Sequence, residues 1–247
     1  MRTHFARISQ DYFVAELHCE CYDPDASFSV KESTNMVDGI GGITWDGSLV
    51  LYESLSLVMS AAMSKIDMLE LGAGAGICGL LSARHELVSS VVLTDRTTDL
   101  CNENINTFKT TLALQQDVNT LNLNAIEVEW GDSTTDSNDS ILSNAITNGC
   151  TPGNIYIVIG AEITCLLKQH EKLINTAFKL DNYYFACNNA HSLLVLSFDD
   201  LPPPFSHNKY ESAFNDRIKS SPYNYKRIDF SSGVVKWTYR NQSRPVD

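Results

Sequence analysis

The sequence predicts an α/β fold in which a doubly wound, mostly parallel sheet is covered by helices on both faces. Three observations lead there. Two apolar-rich runs of strand length, Ile66–Leu71 and Ile155–Ala161, read as strands buried on both sides, as parallel sheets require. Stretches with helical apolar spacing alternate with strand-like runs along the chain. A glycine-rich turn, residues 72–76, falls between an apolar strand and a helix, where such sheets bind ligands.

The elements follow in order. Residues 1–40 read as a β-rich lead, with short apolar runs at 12–17 and 28–30 around the turn signal Asp23-Pro24-Asp25. Gly39, Gly41 and Gly42 mark a hinge. Residues 47–63 fit a helix with one broad buried face. Ile66–Leu71 is the first core strand, residues 77–87 a helix, and residues 90–94 a strand closed by Asp95. Residues 100–114 suit a helix, although Asn102, Asn104 and Asn106 lower its propensity. Residues 126–130 read as the third strand, and 132–154 as a polar insertion, partly helical around 141–146. Ile155–Ala161 is the fourth strand, followed by a helix near 168–179 and a fifth strand at 193–198. Pro202-Pro203-Pro204 stiffens the next connection. A helix over 210–220 precedes a terminal antiparallel hairpin, 225–230 with 234–239. That hairpin makes the sheet mixed. The chain divides into a β-rich extension, 1–42, and one domain, 43–247, a size that suits its 247 residues.

Charge narrows the partners. Asp+Glu outnumber Lys+Arg 30 to 18, a formal net charge of -12. Such a surface repels phosphate backbones, so no nucleic-acid partner is expected, and it favours a basic one such as a Lys- or Arg-rich protein segment. No run reaches the ~20 apolar residues of a membrane span, and residues 1–10 carry no secretory apolar run. The seven cysteines (Cys19, Cys21, Cys78, Cys101, Cys150, Cys165, Cys187) are odd in number and scattered. They read as reduced thiols of the cytoplasm or nucleus. Cys19 and Cys21 have no second Cys/His pair nearby, so no metal is expected. A monomer is expected.

The run Glu70-Leu71-Gly72-Ala73-Gly74-Ala75-Gly76 carries the most information. Glycines let the backbone turn sharply and let a ligand approach the main chain. Asp95 ends the next strand, where an acidic side chain reaches ribose hydroxyls. Residues 74–79 also satisfy the dinucleotide pattern G-x-G-x-x-G. Charge separates the two readings. A dinucleotide sets a pyrophosphate on the turn, yet residues 66–79 contain no Lys or Arg, and Glu70 lies two residues before the first glycine. A carboxylate there opposes pyrophosphate and attracts the ammonium of S-adenosylmethionine (SAM), which has no phosphate and a cationic sulfur.

With Thr44-Trp45-Asp46-Gly47-Ser48 ahead of that turn, Thr94-Asp95, Trp130-Gly131 and Gly160-Ala161-Glu162-Ile163-Thr164-Cys165, the sequence resembles the seven-β-strand, SAM-dependent protein methyltransferases of methyltransferase family 16, the lysine methyltransferase-like group. The likeness runs from about residue 43 to 237. It implies a Rossmann-like, doubly wound, seven-stranded mixed sheet, the class I methyltransferase fold. It also implies roles by position. Trp45 would lie beside SAM. Gly72, Ala73, Gly74 and Gly76 would form the turn at its methionine end, supported by Glu70. Asp95 would hold the ribose, Trp130 would pack on adenine, and Ala161 would line the pocket near the methyl donor. Glu162 would be the catalytic residue, guiding a substrate ammonium into place. Where the family usually has Tyr, this chain has Cys165, which puts the substrate class in question.

The expected function is methyl transfer from SAM to a protein lysine. Two alternatives are a small-molecule methyltransferase on the same fold and a catalytically weak SAM-binding interaction protein. His85 and His170, expected within helices, read as surface or satisfied histidines. His191, His207 and the pair Asp199-Asp200 flank the end of the fifth strand, on the ligand-binding side.

Overall fold

Alternation along the central strands sorts their side chains onto two apolar faces, and the chain covers both. A computed structural model describes residues 2–7, 12–18, 27–33, 42–113, 121–131, 136–163, 169–188, 190, 192–199, 212–216, 223–230 and 233–240. Strands β1 (Arg2–Arg7), β2 (Tyr12–His18) and β3 (Ser27–Lys31) form a small antiparallel sheet. Then come α1 (Asp46–Ala61), β4 (Ile66–Leu71), α2 (Ile77–Ser82), β5 (Val88–Asp95), α3 (Asp99–Ala113) and β6 (Asn122–Glu127). The chain continues through α4 (Asp136–Gly149), β7 (Ile155–Ala161), α5 (His170–Asn188), β8 (Leu193–Asp199), β9 (Tyr223–Phe230) and β10 (Gly233–Arg240).

The large sheet has seven strands in the order β6-β5-β4-β7-β8-β10-β9. Strands β4 to β8 are parallel, and β10 runs antiparallel to both β8 and β9. The expected seven-stranded mixed sheet is therefore present. From β4 the chain winds outward through β5 and β6, then returns to β7 on the other side of β4. The carboxyl ends of β4 and β7 thus flank the point where winding reverses, the place where such sheets open a crevice.

Ile66 and Met68 of β4, with Val91, Leu93, Ile157 and Ile159, pack under α1, α2 and α3. Leu69 and Leu71, with Val92, Tyr156, Val158 and Leu196, pack under α4 and α5. Neighbouring residues of one strand serve opposite layers, which is why β4 is buried along its whole length.

Some elements differ from the sequence reading. The third parallel strand is Asn122–Glu127, not 126–130. Its polar residues mask its start, and at the sheet edge they reach solvent. Val128 N–H donates to the Asp95 carbonyl at 2.8 Å, carrying the ladder with β5 one bond past Glu127, and the strand ends before Trp130. Helix α2 stops at Ser82 rather than 87. His85 lies in the turn beyond it, where its imidazole accepts a bond from Leu87 N–H at 3.2 Å. The polar stretch after β6 is no insertion: α4 is a regular crossover helix that buries Leu142, Ala145 and Ile146. Tertiary burial overrides its weak propensity. Helix α5 runs to Asn188 because Leu180 and Tyr184 continue its buried stripe from Leu173 and Ala177. Residues 2–7, with no apolar run, are nonetheless a strand. Cys19, Cys21, Cys165, His191, Asp200, the three prolines and His207 lie outside the described residues.

At the amino edge of the sheet, buried Asp67 gathers the loops. It accepts bonds from Ser89 Oγ at 2.7 Å, Thr151 N–H at 2.6 Å and Asn154 Nδ2 at 3.1 Å. Asp67→Ala strands these donors. It is expected to destabilise the fold by about 3 kcal/mol, lowering Tm by roughly 6–12 °C. A melt within 2 °C of wild type (about 1 kcal/mol at most) would show the cluster to be decorative.

Candidate functional site

The carboxyl edge of the sheet is where burial breaks. Strand β4 is buried throughout, but Gly72 and Gly74 just beyond it are half-exposed. So are Asp95 at the end of β5, Ala161 at the end of β7 and Glu162 after it. Trp45, the residue before α1, and Trp130, beyond β6, share that half-buried state. The structure brings the sequence-chosen residues of β4, β5 and β7 to one edge because those three strands are adjacent and parallel.

The turn requires its glycines. Gly72, Gly74 and Gly76 have φ of 61°, 55° and 77°, the left-handed region that L side chains avoid. A side chain at Gly72 would meet Ile163 Cγ2 at 2.8 Å and the Trp130 ring at 3.0 Å. Trp130 therefore packs against the start of the turn, beside Ile163. Three turn amides have defined partners. Ala73 N–H donates to the Thr94 carbonyl at 2.9 Å, Gly74 N–H to Asp95 Oδ2 at 2.8 Å, and Gly76 N–H to the Ala73 carbonyl at 2.7 Å. Asp95 Oδ1 accepts Arg96 N–H at 2.7 Å. Asp95 thus ties the end of β5 to the turn.

Glu70 does not face the open edge. It lies beneath α2, 2% exposed, with Oε2 accepting Gly79 N–H at 2.8 Å. Gly79 needs to be glycine there, because a Cβ would stand 2.7 Å from Glu70 Oε2 and 2.5 Å from Leu93 Cδ2. Burial pushes the Glu70 carboxyl up to about 8, with the Gly79 bond opposing and Asp95 adding to the rise. At neutral pH it is mostly protonated. The sequence reading had this carboxylate attract the ammonium directly; in the structure it supports the turn from below, and Asp95 is the acidic group at the edge.

This raised acid makes stability depend on pH. The folded value, about 8, exceeds the ordinary 4.5, so the native state holds the extra proton between them. Stability contributed by that proton is complete below the lower value and is lost as pH rises toward the upper one. Glu70→Gln is expected to flatten this decline between those two values, read by denaturant unfolding of both proteins. Parallel pH profiles would refute the assignment.

Glu162 is the one non-glycine residue with positive φ, 57°, among the described residues. This backbone strain fixes its direction. A Cβ built on Gly47 would overlap the Glu162 carboxylate, so that carboxylate lies against the first turn of α1, whose amides and dipole favour an anion. Ser197 Oγ of β8 donates to the Gly47 carbonyl at 2.7 Å and holds that turn to the sheet.

Asn104, Glu32, Ser197 and Ile163 were not singled out from sequence. Asn104 left a signal: it shares the buried face of α3 with Cys101, Ile105 and Phe108, a polar residue on a core stripe. Cys78 and Cys101 are buried free thiols. Cys101 Sγ donates to the Gly74 carbonyl at 3.2 Å, and burial holds its thiol well above the ordinary range. Burial disfavours the thiolate form of both. His170, the first residue of α5, is buried with its ring edge-on to Phe214. Among the described residues no group of three or more His, Cys, Asp or Glu can hold a metal ion, and no helix is long and apolar enough to cross a membrane.

The turn offers main chain and carboxyl groups and no cation, at the switch point of a doubly wound sheet. That chemistry fits a cationic, phosphate-free nucleoside, and it defines a SAM-dependent methyltransferase of the class I fold. The model of the lysine methyltransferase family, methyltransferase family 16, matches residues 24–183, and the chain belongs to that family. SAM is its cofactor. The fold is similar to the methyltransferase domain of bacterial CtHen1-CN, with a TM-score of 0.50, 11% identity, and coverage of 77% of this chain and 97% of that one. It is also similar to human methyltransferase 10 domain containing protein (TM-score 0.48, 10% identity, 85% and 89% covered). A methyltransferase from Pyrococcus furiosus resembles it too (TM-score 0.44, 13% identity, 76% and 82% covered). No curated protein matches the sequence.

Proposed function

We propose that this chain methylates lysine side chains of proteins. The observation that carries the reading is Glu162: an acidic residue in a strained left-handed conformation at the end of β7, next to the glycine turn of β4. Strain of this kind persists where surrounding structure enforces it, and it concentrates at functional sites. The family match and the net charge of -12 support a basic protein substrate.

SAM, held at the turn and Asp95, would supply an electrophilic methyl group to a neutral lysine amine. The residues at the edge do the rest. Glu162 attracts the lysine ammonium and orients it for in-line attack. A free lysine has a pKa of about 10.4 and must lose its proton to solvent before attack. Exclusion of water at the half-buried edge favours that loss, while the Glu162 charge opposes it and serves to bring the ammonium in. Asp95 holds the ribose hydroxyls. Gly72, Ala73, Gly74 and Gly76, resting on Glu70, shape the methionine end, and Trp130 provides the flat apolar surface for adenine.

Transfer from tritiated SAM into lysate proteins, followed by mass spectrometry of the labelled residue, tests the proposal. Methyl-lysine on protein is the expected product. Label confined to the small-molecule fraction, or to a residue other than lysine, would overturn it.

A further inference from the structure

The end of β3 and the buried face of α3 meet behind the cofactor turn. Asn104 lies there, 1% exposed. Its Oδ1 accepts Lys31 N–H at 2.7 Å, and its amide donates to the Lys31 carbonyl at 3.0 Å and to the Ala75 carbonyl at 2.9 Å. Both donors of the side chain are used. With Lys31 it exchanges a bond in each direction, as a neighbouring strand would, so it adds one rung to β3. Its second donor carries that rung onto the glycine turn, at the residue before Gly76. The Lys31 ammonium also pairs with Glu103 of α3 at 2.8 Å.

The next two residues hold the other flank. Buried Glu32 accepts Thr44 N–H through Oε1 at 2.7 Å, and Ser33 N–H donates to the Gly42 carbonyl at 2.7 Å. Thr44 immediately precedes Trp45. Three consecutive residues, Lys31, Glu32 and Ser33, therefore fasten the glycine turn on one side and the segment leading into Trp45 on the other. Val30 just before them sits in the same core cluster as Ala73, Ala75 and Ile77. The small sheet is anchored by its last strand to the two motifs that border the cofactor.

We infer that residues 31–33 together with Asn104 form a brace that sets the shape of the SAM site, with Asn104 the positioning residue for the glycine turn. Without its amide, the Ala75 carbonyl and both backbone groups of Lys31 lose a buried partner. The turn can then relax away from the geometry that receives the cofactor. Because coupling is reciprocal, SAM binding must in turn tighten β3.

Two measurements test the brace, and neither depends on the methyl acceptor. In calorimetric titration with SAM, well below the melting temperature, Asn104→Ala is expected to bind about tenfold more weakly than wild type. Asp67→Ala, which loosens the opposite edge of the sheet, is expected to keep wild-type affinity. A purely structural Asn104 would lower stability as Asp67 does and leave affinity within about twofold of wild type; that result overturns the brace. The second measurement needs no variant. Amide hydrogen exchange at Lys31 and Ser33 in the wild-type chain is expected to slow when SAM saturates the site. Exchange at those two amides unchanged by SAM would overturn the proposal.

Discussion

Gly72→Ala is expected to weaken SAM binding by about 100-fold, equivalent to roughly 2.7 kcal/mol. Two costs add at this position. The backbone has φ of 61°, where an L side chain loses about 1–2 kcal/mol. The new methyl group also lies 2.8 Å from Ile163 Cγ2 and 3.0 Å from Trp130 Cζ2. An indole packed against the layer of Leu69 and Leu71 is a rigid neighbour, and overpacking of this kind costs about 1–3 kcal/mol. The turn escapes both costs only by changing shape, and the proposal makes that shape the seat of the cofactor. Gly153→Ala is the matched control. Gly153 has φ of 90° but nothing within 4 Å of an added Cβ, and it lies before β7 at the opposite edge of the sheet. It carries the backbone strain without the collision, so its SAM affinity should stay at the wild-type value. Equal affinities for the two variants in calorimetric titration would mean that the turn does not hold the cofactor.

The parts of this fold that sequence makes legible are those where local pattern and burial agree. Ile66–Leu71 and Ile155–Ala161 are strands with the bounds read from sequence because both are buried on two faces, so apolar residues dominate them, with Asp67 and Glu70 the two charged exceptions in the first. The edge strand β6 has no such requirement. Asn122 and Asn124 start it, and only its pairing with β5 defines it. Helix α4 is hidden for a related reason, since its Ser, Thr and Asn content signals a loop until the layer beneath supplies the contacts. Site chemistry divides in the same way. The glycines and Asp95 are readable because chain geometry allows few substitutes. The state of Glu70 is not, because its raised pKa comes from α2 closing over it, a tertiary event. Asn104 stands between these cases: its place on an apolar stripe was visible, but its partners Lys31 and Ala75 are 73 and 29 residues distant.

Glu162→Gly is expected to separate stability from turnover. The left-handed backbone at φ 57° costs a residue with a Cβ about 1–2 kcal/mol, which glycine recovers. Against this stand the greater chain entropy of glycine, about 0.5–1 kcal/mol, and the loss of an anion at the first turn of α1, about 0.3–1 kcal/mol. These nearly cancel, so the melting temperature should stay within roughly 3 °C of wild type. Turnover has no such compensation. If the carboxylate steers the lysine ammonium toward the methyl group, removing it should lower kcat/KM on the labelled protein substrate by about 100-fold. SAM affinity should be unchanged, since the proposal assigns the cofactor to the turn and Asp95. Glu162→Gln keeps the shape and removes the charge, and it should lose nearly as much. The competing account makes Glu162 only an anchor for the first turn of α1 at Gly47. On that account the pattern inverts: stability falls in both variants while kcat/KM per folded molecule is preserved. Because the costs and gains at this position nearly cancel, stability alone does not choose Glu over Gly there, and the effect of the carboxylate on kcat/KM decides between the two accounts.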